Sequence, residues 1–170
     1  MSEQGQEDAD PNFNFNVRNL YWTLFLNNKR DEAIEFLNND RLTPQNKRAA
    51  VKYEAGIDRT TLLMRATYHD ASLTLIQRLC EIGGKPLIMD TNISGWTALH
   101  NACYRDDPNI DIVKYLVQNG GMELVNKKNK EGKAALDYMK GKGNDFMLQL
   151  SQRRRITESI QRQKDPWQIE

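Results

Sequence analysis

Apolar residues recur along this chain at three- and four-residue spacing, in short blocks closed by glycine, proline or a polar run. The pattern is sharpest over residues 94–119. Ala98, Leu99, Ala102 and Cys103 share one face of a first helix, and Thr97 before them is a good N-cap because its hydroxyl can accept from a free N–H of the first turn. Ile112, Val113, Leu116 and Val117 form the stripe of a second helix that Asn109 can cap. Arg105-Asp106-Asp107-Pro108 separates the two; it is polar and ends in proline, which suits a helix start better than a helix interior. Gly95 on one side and Gly120-Gly121 on the other mark turns, so the block predicts two short helices packed back to back.

Similar blocks flank it. Val17, Leu20, Tyr21, Leu24 and Phe25 have helical spacing over residues 17–27, a polar run breaks the pattern, and Asp31 can cap a helix whose face is Ala33, Ile34, Phe36 and Leu37. Residues 38–56 read as an insertion containing Pro44, a basic pair Lys47-Arg48 and one helical turn at 49–53. Near the other end, Asn144 or Asp145 can cap a helix with Phe146, Met147 and Leu150 inward, which could run on to Ile156 and Ile160. Residues 1–16 are polar, acidic and aperiodic, and read as a disordered tail; Phe13 and Phe15, which alternate with asparagines, fit a frayed terminus better than a segment lying along the first helix pair. From Lys164 onward the chain reads as extended, with Trp167 either a partner anchor or a side chain folded back on the last helices.

The central block repeats. Thr61-Leu62-Leu63-Met64-Arg65-Ala66 matches Thr97-Ala98-Leu99-His100-Asn101-Ala102, and Ala134-Ala135-Leu136-Asp137-Tyr138-Met139 matches it more weakly, at offsets of 36 and 37 residues. Gly95-Trp96-Thr97-Ala98-Leu99-His100-Asn101-Ala102 resembles the ankyrin signature G-x-T-P-L-H-x-A. Ile112-Val113-Lys114-Tyr115-Leu116-Val117 resembles the second ankyrin helix, and residues 124–132 resemble the hairpin finger that follows it. The usual period is about 33 residues, so the unit from Gly95 to Gly132 carries extra residues in the helix–helix turn and at the doubled glycine, both expected to be loop positions. Arg59 stands where the family prefers a glycine, which predicts a differently shaped first finger. The resemblance implies an all-α solenoid of about four stacked helix–turn–helix units with fingers between them and flexible termini. Its expected parts are the tail 1–16, a repeat domain 17–155 and a C-terminal extension 156–170. Within the domain, 17–38 is an N-terminal cap unit, 39–58 an insertion or linker, 59–94 unit two, 95–132 unit three and 133–155 a C-terminal cap unit. The degenerate end units fit caps, since a terminal unit lacks a neighbour on one side.

Composition narrows the function classes. With 24 Lys plus Arg against 23 Asp plus Glu there is no strong global field to draw nucleic acid or anionic membrane. No apolar run approaches a membrane span, and an N-terminus bearing Glu3, Glu7, Asp8 and Asp10 is wrong for a secretory or organelle leader. The cysteines, Cys80 and Cys103, both lie on apolar helix faces and read as small buried hydrophobes, which makes a reducing compartment, cytoplasm or nucleus, the default. His100 and Cys103 lie three apart on one helix, but the other histidine, His69, belongs to a different unit and too few ligands are present for zinc. Gly141-Lys142-Gly143 lacks the context of a phosphate loop, and Asp106, Asp107 and Asp111 lack a calcium-loop pattern, so they read as a solvated turn. No enzyme, cofactor or metal is expected.

The family resemblance implies protein recognition across a concave face made of finger tips and the exposed sides of first helices. Carried onto this sequence, that face takes Ile57, Asp58, Thr60, Tyr68 and His69 from unit two, Ile93, Ser94, Trp96, Tyr104 and Arg105 from unit three, and Lys130, Glu131 and Lys133 from unit four. The same resemblance assigns Gly95, Thr97, Leu99, His100, Ala102 and Gly132 to the structural signature, with His100 bonding the turns of its own and the adjacent unit. Trp96, Tyr68, Tyr104 and Arg105 form the expected anchor patch, because these residue types dominate interface hot spots; the competing reading packs Trp96 on the neighbouring finger. Nine basic residues against three acidic ones between 127 and 155 leave three readings: a solvated face, a surface for an acidic partner, or a nucleic-acid contact, the last without any recognition helix to support it. The expectation is a non-catalytic adaptor, monomeric alone, that binds another protein; the alternative is a small subunit held in a larger assembly by its termini.

Overall fold

A computed structural model describes residues 30–139, apart from 41, 53 and 56, together with residue 152. The tail 1–16, the helix expected over 17–27, the last helix expected with Phe146, Met147 and Leu150, and Trp167 lie outside the described residues. The elements in chain order are α1 (Arg30–Asn38), α2 (Pro44–Val51), β1 (Glu54–Ala55), β2 (Thr60–Thr61), α3 (Leu62–Tyr68), α4 (Leu73–Met89), α5 (Ala98–Tyr104), α6 (Ile110–Asn126) and a 3-10 turn at Ala135–Met139. This is an all-α repeat solenoid. First helices α3, α5 and the 3-10 turn pack side by side in one row, and α4 packs on α6 in a second.

Helices α3 and α5 are each seven residues long, with a short apolar run started by a threonine. Thr61 accepts from Met64 N–H, and Thr97 from His100 N–H, at 3.3 Å each. Ser72 and Asn109 cap the second helices in the same manner. The inward residues join into one continuous core running from Ala33 and Leu37 to Leu136 and Met139. Leu62, Leu63 and Met64 in one unit and Ala98, Leu99 and Ala102 in the next are buried where each first helix packs on the adjacent first helix and on the second helix of its own unit.

The doubled glycines are built differently from the loop expected there. Helix α6 is broken at Gly121 (φ 68°, ψ −169°) and then resumes for one turn to Asn126, burying Leu124 and Val125. A Cβ on Gly120 would lie 2.4 Å from Leu124 Cδ2, so the first glycine lets the leucine fold beneath the kink while the second supplies the positive φ. Gly83-Gly84 repeats the device in α4, with Leu87 and Ile88 buried and Pro86 in the resumed turn. The extra residues per unit are therefore packed core, and the finger starts at Lys127 rather than Leu124. In the first described unit the same role falls to α2: Ala50 and Val51 are buried 37 residues ahead of Leu87 and Ile88. The stretch 39–58, expected as an insertion or linker with one helical turn, thus holds an eight-residue helix capped by Thr43, followed by a paired finger.

Arg59 is a second departure. It adopts φ 55°, the conformation its glycine counterparts Gly95 and Gly132 adopt at 78° and 76°. The first finger accordingly closes as an antiparallel pair, Glu54 opposite Thr61 and Ala55 opposite Thr60.

Candidate functional site

The fingers are joined in a row by their backbones. Ile93 N–H donates to Asp58 C=O and Lys130 N–H to Ser94 C=O, both at 3.0 Å. These bonds hold the tips, leaving Ile57 95% and Ile93 45% exposed at neighbouring fingers. Thr60, expected on the same face, is buried; its hydroxyl donates to the Asp58 carboxylate at 2.6 Å, so it orients Asp58 instead of presenting surface of its own. Arg65 completes that arrangement 3.5 Å from the same carboxylate oxygen.

His100 is buried and fixed at both ring nitrogens. Nδ1 accepts from Thr97 N–H at 3.2 Å and sits 2.8 Å from the Thr97 hydroxyl, while Nε2 lies 3.2 Å from the Lys133 carbonyl of the next unit. Only an Nε2–H tautomer satisfies both partners, since a backbone N–H can only donate and a carbonyl only accept. Burial lowers the pKa of the ring, against the opposing pull of the Lys133 carbonyl and Asp137. In the next unit Asp137 takes the histidine position and its carboxylate accepts from Ala134 N–H at 2.8 Å.

Above His100 the face is aromatic. Trp96 is half-buried; its ring centroid lies 5.1 Å from Tyr104, 4.9 Å from Tyr138 and 5.9 Å from His100. Tyr104 and Tyr138 meet edge-on at 5.5 Å. Trp96 therefore does not stand free after its turn glycine; it braces the rings of its own unit and the next. Tyr104 is 50% exposed and Tyr68, one unit back, 45%. His69 is exposed beside Tyr68, edge-on at 5.1 Å. Arg105 bridges the units: its guanidinium donates to the Tyr68 carbonyl and lies 3.7 Å from Asp70.

Tyr68, His69, Tyr104, Arg105, Asp106, Asp107 and Tyr138 together line a cleft of about 710 Å³ across the ends of the first helices. Tyr138 and the two aspartates were not legible as part of this face. Tyr138 aligns with Asn101, a position off the apolar face of Ala98, Leu99, Ala102 and Cys103; its half-buried ring packs against the core and lines the cleft. Among the basic residues of the segment, Lys127 donates to the Met89 carbonyl at 2.6 Å. Lys133 pairs with Glu131 at 2.9 Å while lying 5.5 Å over the Tyr138 ring. That pair raises the Lys133 pKa and lowers that of Glu131, by mutual hydrogen bonding and attraction.

Cys80 and Cys103 are buried and not disulfide-bonded, and burial, aided by Glu81, pushes Cys80 up to about 12. Among the described residues no group of three His, Cys, Asp or Glu could hold a metal, and no helix is long and apolar enough to cross a membrane.

A family model described as ankyrin repeats, three copies, matches residues 25–129 and 63–150. Among solved structures, the chain is similar to one in the complex of the predatory endopeptidase Bd0816 from Bdellovibrio bacteriovorus with the immunity protein Bd3460. Identity is 26%, the TM-score is 0.54, and the match covers 71% of this chain and 55% of that one, so the chain spans about half of its neighbour's length. No curated protein sequence matches.

Proposed function

The chain belongs to the ankyrin-repeat family, and on that premise we propose that it is a non-catalytic adaptor that captures a protein partner on its concave face, across finger tips and first helices. One observation carries the proposal: exposed Tyr68 and Tyr104 border a cleft spanning two units, with Tyr104 set against the rings of Trp96 and Tyr138 and Tyr68 edge-on to His69. Tyrosines held this way bury large area at low entropic cost, which is what an interface anchor requires. Support also comes from the similar solved chain, which belongs to a complex between an endopeptidase and an immunity protein.

Affinity capture with the full chain tests the proposal, and the choice of variant matters. Trp96 touches three rings, so Trp96→Ala should cost stability as well as contact. Tyr104→Ala and Tyr68→Ala remove half-exposed rings and should leave the fold intact while weakening capture by about tenfold or more. A partner held equally by the parent chain and by the double variant would move the interface off this face.

A further inference from the structure

The cleft has a charge of its own. Arg105 is the cation in its lining, and that guanidinium already faces Asp70 and the Tyr68 carbonyl. Asp106 and Asp107, exposed at the turn after α5, have no ionic partner among the described residues. The cleft thus combines two uncompensated carboxylates with the exposed faces of Tyr68 and Tyr104, in a chain whose formal net charge is +1. The protein already seats a cation on such a ring: the Lys133 ammonium lies over Tyr138, at the far rim of the same cleft.

We propose that this cleft receives an arginine side chain of the protein partner, stacked against Tyr68 and Tyr104 and ion-paired with Asp106 and Asp107. Arginine fits better than lysine, because its planar guanidinium can lie flat on an aromatic face while its edge donates a fork of N–H groups to carboxylates. Cation–π attraction and charge pairing then act on one group. The inference rests on the adaptor reading and adds to it the chemistry of what is captured.

The test is an NMR titration of the full chain with a blocked Gly-Gly-Arg-Gly-Gly peptide, beside twins carrying citrulline or glutamate in place of arginine. Citrulline keeps the shape and hydrogen-bonding edge of arginine and lacks its charge. The arginine peptide should give saturable shifts at Tyr68, Tyr104 and residues 105–107, weakened about tenfold in Asp106→Asn/Asp107→Asn and reduced by added salt. Equal shifts with citrulline, stronger shifts with glutamate, no shifts at the cleft, or an unchanged titration in the asparagine variant would each overturn it. The two readings fail separately: capture of the natural partner lost in Tyr68→Ala/Tyr104→Ala and intact in Asp106→Asn/Asp107→Asn would keep the adaptor reading and remove the arginine, whereas capture unchanged in Tyr68→Ala/Tyr104→Ala would remove the adaptor reading on this face.

Discussion

Gly95 shows how narrowly single residues are specified here. Its φ is 78°, and a Cβ built on it would come within 3.0 Å of Lys130 N and 3.1 Å of Asn129 Cα in the next finger. Gly132 has nearly the same φ with nothing within 4 Å of its own Cβ position. Gly132→Ala should therefore cost about 1 kcal/mol, from the left-handed conformation alone, and Gly95→Ala about 2 kcal/mol or more, because backbone must also move. Urea denaturation of the two variants measures the difference, and equal losses would deny the close approach between fingers. His100 makes a second residue-scale prediction. Its pKa is lowered from the ordinary 6.5, chiefly by burial. Between the lowered value and 6.5 the unfolded chain binds more protons than the folded one, so stability is fully present above 6.5 and falls as pH drops through that window. His100→Gln should flatten this part of a stability–pH curve measured from neutral pH to about 5.5, a window set by the ordinary histidine pKa. The sequence already marked His100 and Gly95 through the signature pattern. It could not reveal that Arg59 tolerates a positive φ, since that depends on the finger around it outweighing a local preference.

At the scale of elements, three first helices share one starting device in graded form. Unit three has both halves of a capping box, with Thr97 and His100 bonding reciprocally. Unit two keeps the threonine, but Met64 cannot return the bond; the last described unit has Ala134, so only Asp137 reaches back. Thr97→Ala should thus cost more than Thr61→Ala, about 2 against about 1 kcal/mol, read from thermal melts of the two variants. The extra cost comes from the 2.8 Å contact of the Thr97 hydroxyl with His100 Nδ1, since alanine keeps the backbone N–H that the ring accepts from; equal costs would mean that this contact adds nothing. Periodicity and caps made α3, α5 and the starts of α4 and α6 legible. The resumed turns at Leu87 and Leu124 were hidden, because a glycine pair normally signals a loop and a four-residue apolar segment is too short to show a period. Helix α2 was obscured for the same reason: its buried residues, Ala50 and Val51, sit only at its end.

At the scale of the molecule, bonds 33 to 38 residues apart stitch the units together. Asn101 donates to the Met64 carbonyl, His100 to the Lys133 carbonyl, Lys127 to the Met89 carbonyl, and Lys85 pairs with Glu123. These contacts and the shared core hold the first-helix face in fixed register, so under the proposed function a partner would meet a surface that is already ordered and lose less entropy on binding. The exposed part of that surface was legible from family positions at Tyr68, Tyr104 and Ile93; the cleft was not, because it depends on the Tyr138 ring of the next unit standing beside Tyr104 and on where the turn after α5 carries Asp106 and Asp107. The measurement that tests the central claim most directly is hydrogen–deuterium exchange of the full chain with and without its captured partner. The account predicts added protection over residues 57–70 and 93–107, with α4 and α6 unchanged. Protection confined to α4 and α6, with the finger tips and first helices unaltered, would contradict it.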